Sequence, residues 1–295
     1  MSNPRPIVIT GASSGIGRAA ALRLARQDLP VVMVCRDGQK ARAVHAEIVR
    51  LTGNRRVELE TADFASLEEV RAVARSIRDK HSEIAVLINN AGATFRDRRM
   101  SVDGHELTFA INHLAPFLLT NLLLEPLKAG APSRVVNVSS DLQRPLRLDD
   151  LDRHKGYDPY QVYGETKLMN VLFTFELARR LAGTRVTANA VAPGFLRTSI
   201  MRNTDARTKA VMFFLRIFVM EPAVKGGDRL IHAATSPDLA GTSGEFLVRN
   251  QPAKATAPAY DRALAAQLWA ISERLTGLPE GAEPLLEADP LEPGL

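Results

Sequence analysis

Short β-branched runs alternate with longer helical stretches along most of this 295-residue chain. The run Ile7-Val8-Ile9-Thr10 comes first, followed by a helical stretch over about 16–26, a strand at 31–35 and a helix near 40–51. Further strands fall at 57–61, 85–89, 135–139, 186–191 and 244–248, with helices between them, one over about 102–127, and a last helix over 260–275. Parallel strands cannot be joined by a tight turn and need a crossover, usually a helix. The alternation therefore predicts an α/β fold: a doubly wound parallel sheet with helices on both faces. The strands are short and mostly apolar, which suits a sheet buried on both sides.

The segment Thr10-Gly11-Ala12-Ser13-Ser14-Gly15-Ile16-Gly17 joins the first strand to the first helix. Glycines there permit a tight turn and close approach of the backbone to phosphate. The helix that follows aims free N–H groups and its positive end at an anion. In that setting the loop predicts a dinucleotide site and makes the sheet Rossmann-type. The second strand ends in Val34-Cys35-Arg36-Asp37. An NAD site usually places a carboxylate there, whereas the planar fork of Arg36 suits a 2′-phosphate. The expected cofactor is NADP(H), with Asp37 as the N-cap of the next helix. The formal charge of +5 prompts a search for a nucleic-acid surface. The basic residues are scattered and only 5% of residues are aromatic, so no nucleic-acid partner is expected.

In Tyr163-Gly164-Glu165-Thr166-Lys167, tyrosine and lysine stand four apart, one helical turn, on one face. Apolar residues at helical spacing follow: Leu168, Val171, Leu172, Phe175 and Ala178. A free tyrosine, with a pKa of about 10, is a poor acid–base group at neutral pH. The neighbouring ammonium is expected to lower that value. Pro116 lies four residues after Asn112 inside the 102–127 stretch and has no N–H to donate to the Asn112 carbonyl. Two readings follow: the freed carbonyl holds a water, or the proline kinks the helix for packing.

With Asn89-Asn90-Ala91-Gly92, Asn112, Ser139-Ser140 and Pro193-Gly194 in order, the chain resembles the short-chain dehydrogenase/reductase family from about residue 7 to 248. The stretches Val34-Cys35-Arg36-Asp37, Val135-Val136-Asn137-Val138-Ser139-Ser140 and Lys167-Leu168-Met169-Asn170-Val171-Leu172-Phe173-Thr174 resemble its retinol dehydrogenase-like, NADP-dependent branch. The resemblance implies an oxidoreductase that interconverts a carbonyl and an alcohol, with Asn112, Ser140, Tyr163 and Lys167 as catalytic residues. Tyr163 would protonate the carbonyl oxygen, Ser140 would hydrogen-bond it, and Lys167 would hold the nicotinamide ribose. Asn112 would support a relay water and Asn89 would buttress the sheet. The cofactor would be lined by Gly11, Ser13, Ser14, Gly15, Ile16, Gly17, Arg36, Asp63, Phe64, Asn90, Ala91, Gly92, Tyr163, Lys167, Pro193, Gly194 and Thr198, with Asp63 on the adenine and Thr198 on the carboxamide. NADP-preferring relatives often carry a basic residue in the glycine loop. Here that place is Ser13-Ser14, so phosphate recognition falls on Arg36, with Lys40 as a second candidate. Relatives often pair through the helices holding Asn112 and Tyr163, so a homo-oligomer is compatible. Two further classes share such a sequence: a cofactor-binding sensor without turnover, and an epimerase or dehydratase using the same Tyr–Lys pair. Sensors typically lose the tyrosine or lysine, and both are present here.

The expected domain covers residues 1–277, with a lid near 199–221, and an acidic, proline-rich tail over 278–295. Residues 211–220 are almost wholly apolar and too short to span a bilayer. A core helix, a lid over a bulky apolar carbonyl or alcohol, and a transient membrane contact all fit. Phe195, Met201, Leu142 and Gln143 are pocket candidates by position. The single cysteine, Cys35, rules out an intrachain disulfide and a Cys-rich zinc site, and no metal is expected. The N-terminus reads as neither a signal peptide nor an anchor, so a cytoplasmic location is expected.

Overall fold

A computed structural model describes residues 4–36, 38–194 and 221–279. Asp37, Phe195, Thr198, Met201, the 211–220 stretch, the expected lid apart from Glu221, and the tail beyond Pro279 lie outside the described residues.

Eight strands form one sheet in the order β3-β2-β1-β4-β5-β6-β7-β8. They are β1 (Ile7–Thr10), β2 (Val31–Cys35), β3 (Val57–Thr61), β4 (Val86–Asn89), β5 (Ser133–Val138), β6 (Val186–Ala192), β7 (Phe246–Val248) and β8 (Gln251–Ala253). The first seven pair in parallel, and β8 returns antiparallel on β7. The last strand was not expected from the sequence: it is three residues long and contains Pro252. A proline is tolerated there because β8 is the edge strand of the sheet among the described residues.

Alternate strand residues point to opposite faces. Val8, Val32 and Leu87 pack on one side with α3 (Leu67–Lys80) and with helical residues Phe117 and Phe173. Ile7, Ile9, Met33 and Ile88 pack on the other with α1 (Gly15–Arg26) and α2 (Gly38–Thr52). Both faces are thus covered, as the apolar strands imply.

The expected 102–127 helix is broken up. Gly104 turns the chain at φ +82°, and the helix begins only at α4 (Leu107–Phe109), where the Glu106 carboxylate accepts the Phe109 N–H at 2.8 Å. A π turn spans Ala110–Leu114, in which the Ala115 N–H reaches back five residues to the Ala110 carbonyl. Then come α5 (Ala115–Leu122) and α6 (Leu124–Ala129). Pro116 follows directly on the π turn, whose shift of the hydrogen-bond register accompanies its missing N–H. The long α7 (Pro159–Arg180) is capped by Asp158, whose carboxylate accepts the N–H groups of Tyr160 and Gln161. The helices α8 (Ala223–Thr235) and α9 (Arg262–Thr276) complete the order. Leu278, assigned to the tail, instead closes α9: its N–H bonds the Glu273 carbonyl at 3.0 Å after the left-handed Gly277. No helix among the described residues is long and apolar enough to cross a membrane.

Candidate active site

The strand order reverses between β1 and β4, so the helices that follow them leave on opposite sides and open a crevice at the carboxyl ends of the strands. Thr10, at the end of β1, ties the two loops there together. Its hydroxyl accepts the N–H groups of Asn90 (3.0 Å) and Ala91 (2.9 Å), and the Asn90 side chain donates back to the Thr10 carbonyl at 2.8 Å. Two glycines are required by this closeness. A Cβ on Gly11, whose φ is +69°, would lie 2.9 Å from the Ala91 Cα, and one on Gly17 would lie 2.5 Å from the Gly11 carbonyl oxygen. The N-cap of α1, Ser14, makes no side-chain cap bond, and the first turn holds no acidic residue. The result is a glycine cradle facing uncapped N–H groups, which fits the diphosphate of a dinucleotide.

At the end of β2, Cys35 is buried beside Ser13, and burial pushes its thiol pKa up. Arg36 is exposed. Arg42, which the sequence did not single out, folds back over the start of α2: a Cβ on Gly38 would lie 3.1 Å from its Nη1. The first turn of α2 carries no acidic residue. Beyond β3, the Asp63 carboxylate accepts the Ala65 N–H at 3.0 Å. The Phe64 side chain is buried in the core.

The Tyr–Lys pair stands on α7 against the end of β5. Ser139 donates to the Lys167 carbonyl at 2.7 Å and so ties the helix to the strand, while the Ser140 hydroxyl accepts the Leu142 N–H at 3.1 Å. Lys167 is 3% exposed. Its Nζ donates to the Val138 carbonyl at 3.1 Å and stands 5.3 Å from the Tyr163 ring centre. Asn112, 1% exposed, is held in the π turn. Its amide exchanges hydrogen bonds with the Ala93 backbone (2.8 and 3.0 Å) and donates to Thr166 at 3.1 Å. A Cβ on Gly92 would lie 3.4 Å from Asn112 Oδ1 and 3.8 Å from Lys167 Nζ, so all three meet at one point.

The proton affinities differ from the sequence expectation. Tyr163 is pushed up to about 12 by burial, offset in part by its hydrogen bond with Ser140. Lys167 is brought down to about 8 by burial. The ammonium was expected to lower the tyrosine. Desolvation outweighs it: burial disfavours the charged form of both groups, and Nζ lies over the Tyr163 ring and on the Val138 carbonyl.

A buried polar ladder supports the site. Asn89 donates to Thr120 and Asn137 (2.8 Å each), and Asn137 donates to Thr174 at 3.0 Å. Thr174 donates to the Asn170 carbonyl at 2.6 Å, and the Asn170 side chain donates at 3.1 Å to the Val138 carbonyl that also holds Lys167. Only Asn89 was expected in this role. The other members lie on separate elements, and their spacing carries no signal. Gln143 donates to the Ser140 carbonyl (3.1 Å) and accepts from the Thr256 hydroxyl (3.0 Å). Pro193 and Gly194 follow β6, and the Pro193 carbonyl accepts from Arg229 at 2.5 Å.

Residues 5–209 match the family model for short chain dehydrogenases. Retinol dehydrogenase 14 of Homo sapiens is 37% identical over 291 residues, covering 93% of this chain and 87% of that protein. Polyprenol dehydrogenase of Homo sapiens is 36% identical over 286 residues, with 93% and 87% covered. Among solved structures, an uncharacterized protein from Mycobacterium Paratuberculosis superposes with a TM-score of 0.73 at 35% identity, covering 94% of each chain.

Proposed function

The chain belongs to the short-chain dehydrogenase family, and on that premise we propose that it is an NADP(H)-dependent oxidoreductase that reduces a bulky apolar aldehyde or ketone to its alcohol. The observation that carries this reading is the meeting of Asn112, Gly92 and Lys167 beside Tyr163 and Ser140, at the same crevice as the glycine cradle.

The cradle would hold the diphosphate, Arg36 with Arg42 the 2′-phosphate, and Lys167 the nicotinamide ribose. NADPH supplies the hydride when bound. The chain's own task is to place the carbonyl and manage a proton. Ser140 hydrogen-bonds the substrate oxygen and orients it toward Tyr163. Tyr163, with its pKa near 12, is protonated at neutral pH, the state required of a group that gives a proton to a carbonyl oxygen. Asn112 holds the backbone at Ala93 beside Lys167, and its own carbonyl, which Pro116 cannot reach with an N–H, is the place for a relay water. Retinol and polyprenol, the compounds in the relatives' names, are both apolar isoprenoid alcohols, which supports an apolar substrate.

The test is NADPH oxidation followed against apolar aldehydes and ketones, with Tyr163→Phe beside the wild type. The expected outcome is a loss of about 10²–10⁴-fold in kcat, with NADPH affinity little changed. Undiminished turnover by Tyr163→Phe would remove Tyr163 from the chemistry.

A further inference from the structure

Helix α8 carries an arginine whose surroundings the reaction does not by itself require. The Arg229 side chain is only 11% exposed. A nearly buried guanidinium needs partners for its charge and its donors. It has two: Nη1 lies 2.6 Å from a Glu221 carboxylate oxygen and donates to the Pro193 carbonyl at 2.5 Å. Lys225 also reaches Glu221, at 3.3 Å. The arginine thus links the start of α8 to the turn that leaves β6.

That turn is built to admit it. Gly194 has φ +89°, a region L side chains rarely enter, and a Cβ there would lie 2.4 Å from Arg229 Nη1. Gly194 thus lets the turn take its left-handed form and leaves room for the guanidinium that holds it. The helix behind the arginine is fixed in its turn. Gly227 lets α8 press on α1, where a Cβ would stand 3.0 Å from the Ala19 Cβ and the Ala20 nitrogen. Asp228 pairs with Arg23 of α1 at 2.8 Å. Because α1 begins at the glycine cradle, the cradle and the Pro193–Gly194 turn are both registered to one helix pair.

We propose that Arg229 is a positioning residue for the nicotinamide half of the cofactor, presetting the Pro193–Gly194 turn through its carbonyl while Glu221 holds the guanidinium in place. The proposal rests on the NADP(H) reading above. In the sheet order, β6 is four places from β2, about 19 Å at the usual strand spacing. The turn is therefore too far from Arg36 to touch the adenine half, and its loss must divide the two halves of the ligand. Both contacts come from the one nitrogen Nη1, so a lysine keeps the charge and enough donors but brings a more strongly hydrated head, and it is expected to restore the contact in part.

The experiment compares Arg229→Gln, Arg229→Lys and Glu221→Gln with the wild type. It measures affinity for NADPH and for adenosine 2′,5′-bisphosphate, which carries only the adenine half, together with melting temperature. Arg229→Gln is expected to weaken NADPH by about tenfold or more, the loss of one charge-assisted contact. The bisphosphate should stay within about twofold on the same scale. Arg229→Lys and Glu221→Gln should fall between, and either serves if Arg229→Gln does not fold. Unchanged NADPH affinity would overturn the proposal. So would an equal weakening of both ligands alongside a lower melting temperature, which would make the arginine a fold element alone. A wild type that binds the bisphosphate but not NADPH, or neither, would overturn the cofactor reading, and the positioning role with it.

Discussion

Burial sets opposite tasks for Tyr163 and Lys167. It holds the tyrosine proton up to about pH 12 and releases the lysine proton near pH 8. The consequence for reduction is a descending limb on the alkaline side. As pH rises through about 8, Lys167 discharges and its hold on the ribose weakens, while Tyr163 keeps its proton. A pH profile of kcat/KM for carbonyl reduction should show that limb. In Lys167→Arg, whose guanidinium stays charged, the limb should move out of range in whatever activity remains. A wild-type profile flat from pH 7 to about 10 would show that Lys167 ionisation does not matter. At the other end of the crevice, Arg36→Asp should cut the preference for NADPH over NADH by about 10–100-fold, the range for a charge-assisted contact replaced by a repulsive one. The ratio of kcat/KM for the two cofactors measures it, and an unchanged ratio would assign phosphate recognition elsewhere.

At the scale of elements, α7 is held by more than its apolar face. Glu165, two residues after Tyr163, forms a buried ion pair with Arg153 from the segment that precedes the helix, and also accepts from Gln161 at 2.7 Å. Both charged side chains are 4% exposed. Removing one partner of such a pair strands the other, at a cost of about 3–5 kcal/mol. Glu165→Ala should therefore lower stability by that order in chemical denaturation, whereas Tyr163→Phe should leave it nearly unchanged. Equal effects of the two substitutions would contradict the ion pair's role. Here the reach of sequence reasoning is plain. The spacing of Tyr163 and Lys167 and the apolar stripe after them announced the helix. Its partners in packing, Arg153, Asn137 and Ser139, come from other segments and had no periodic signal. The 102–127 stretch misled for a related reason: its apolar residues continue at helical spacing, but Gly104 and the Glu106 cap decide where a helix can start.

At the scale of the molecule, α9 lies across α7 and the α5 region. Trp269 packs edge-on against Phe117 (ring centres 4.9 Å apart) and near Phe173 (5.7 Å), with the Arg180 guanidinium 4.2 Å above its ring. The last helix thus takes up part of the surface of α5 and α7, the helices that the sequence reading offered for pairing between copies. Light scattering at micromolar concentration should give a monomer; a dimer with cross-links between copies on α5 and α7 would count against this packing. The sequence alone determined the strand–helix alternation, the cradle of glycines and the Tyr163–Lys167 spacing, because each is local: a period, a φ requirement, or one turn of helix. Tertiary structure decided the rest. It set the direction in which Tyr163 and Lys167 are shifted, packed the Phe64 side chain into the core, tied Gln143 to Ser140, and joined Arg229 to Gly194 across 35 positions of chain. Desolvation and close approach depend on what other segments bring to a residue, and no local pattern records that.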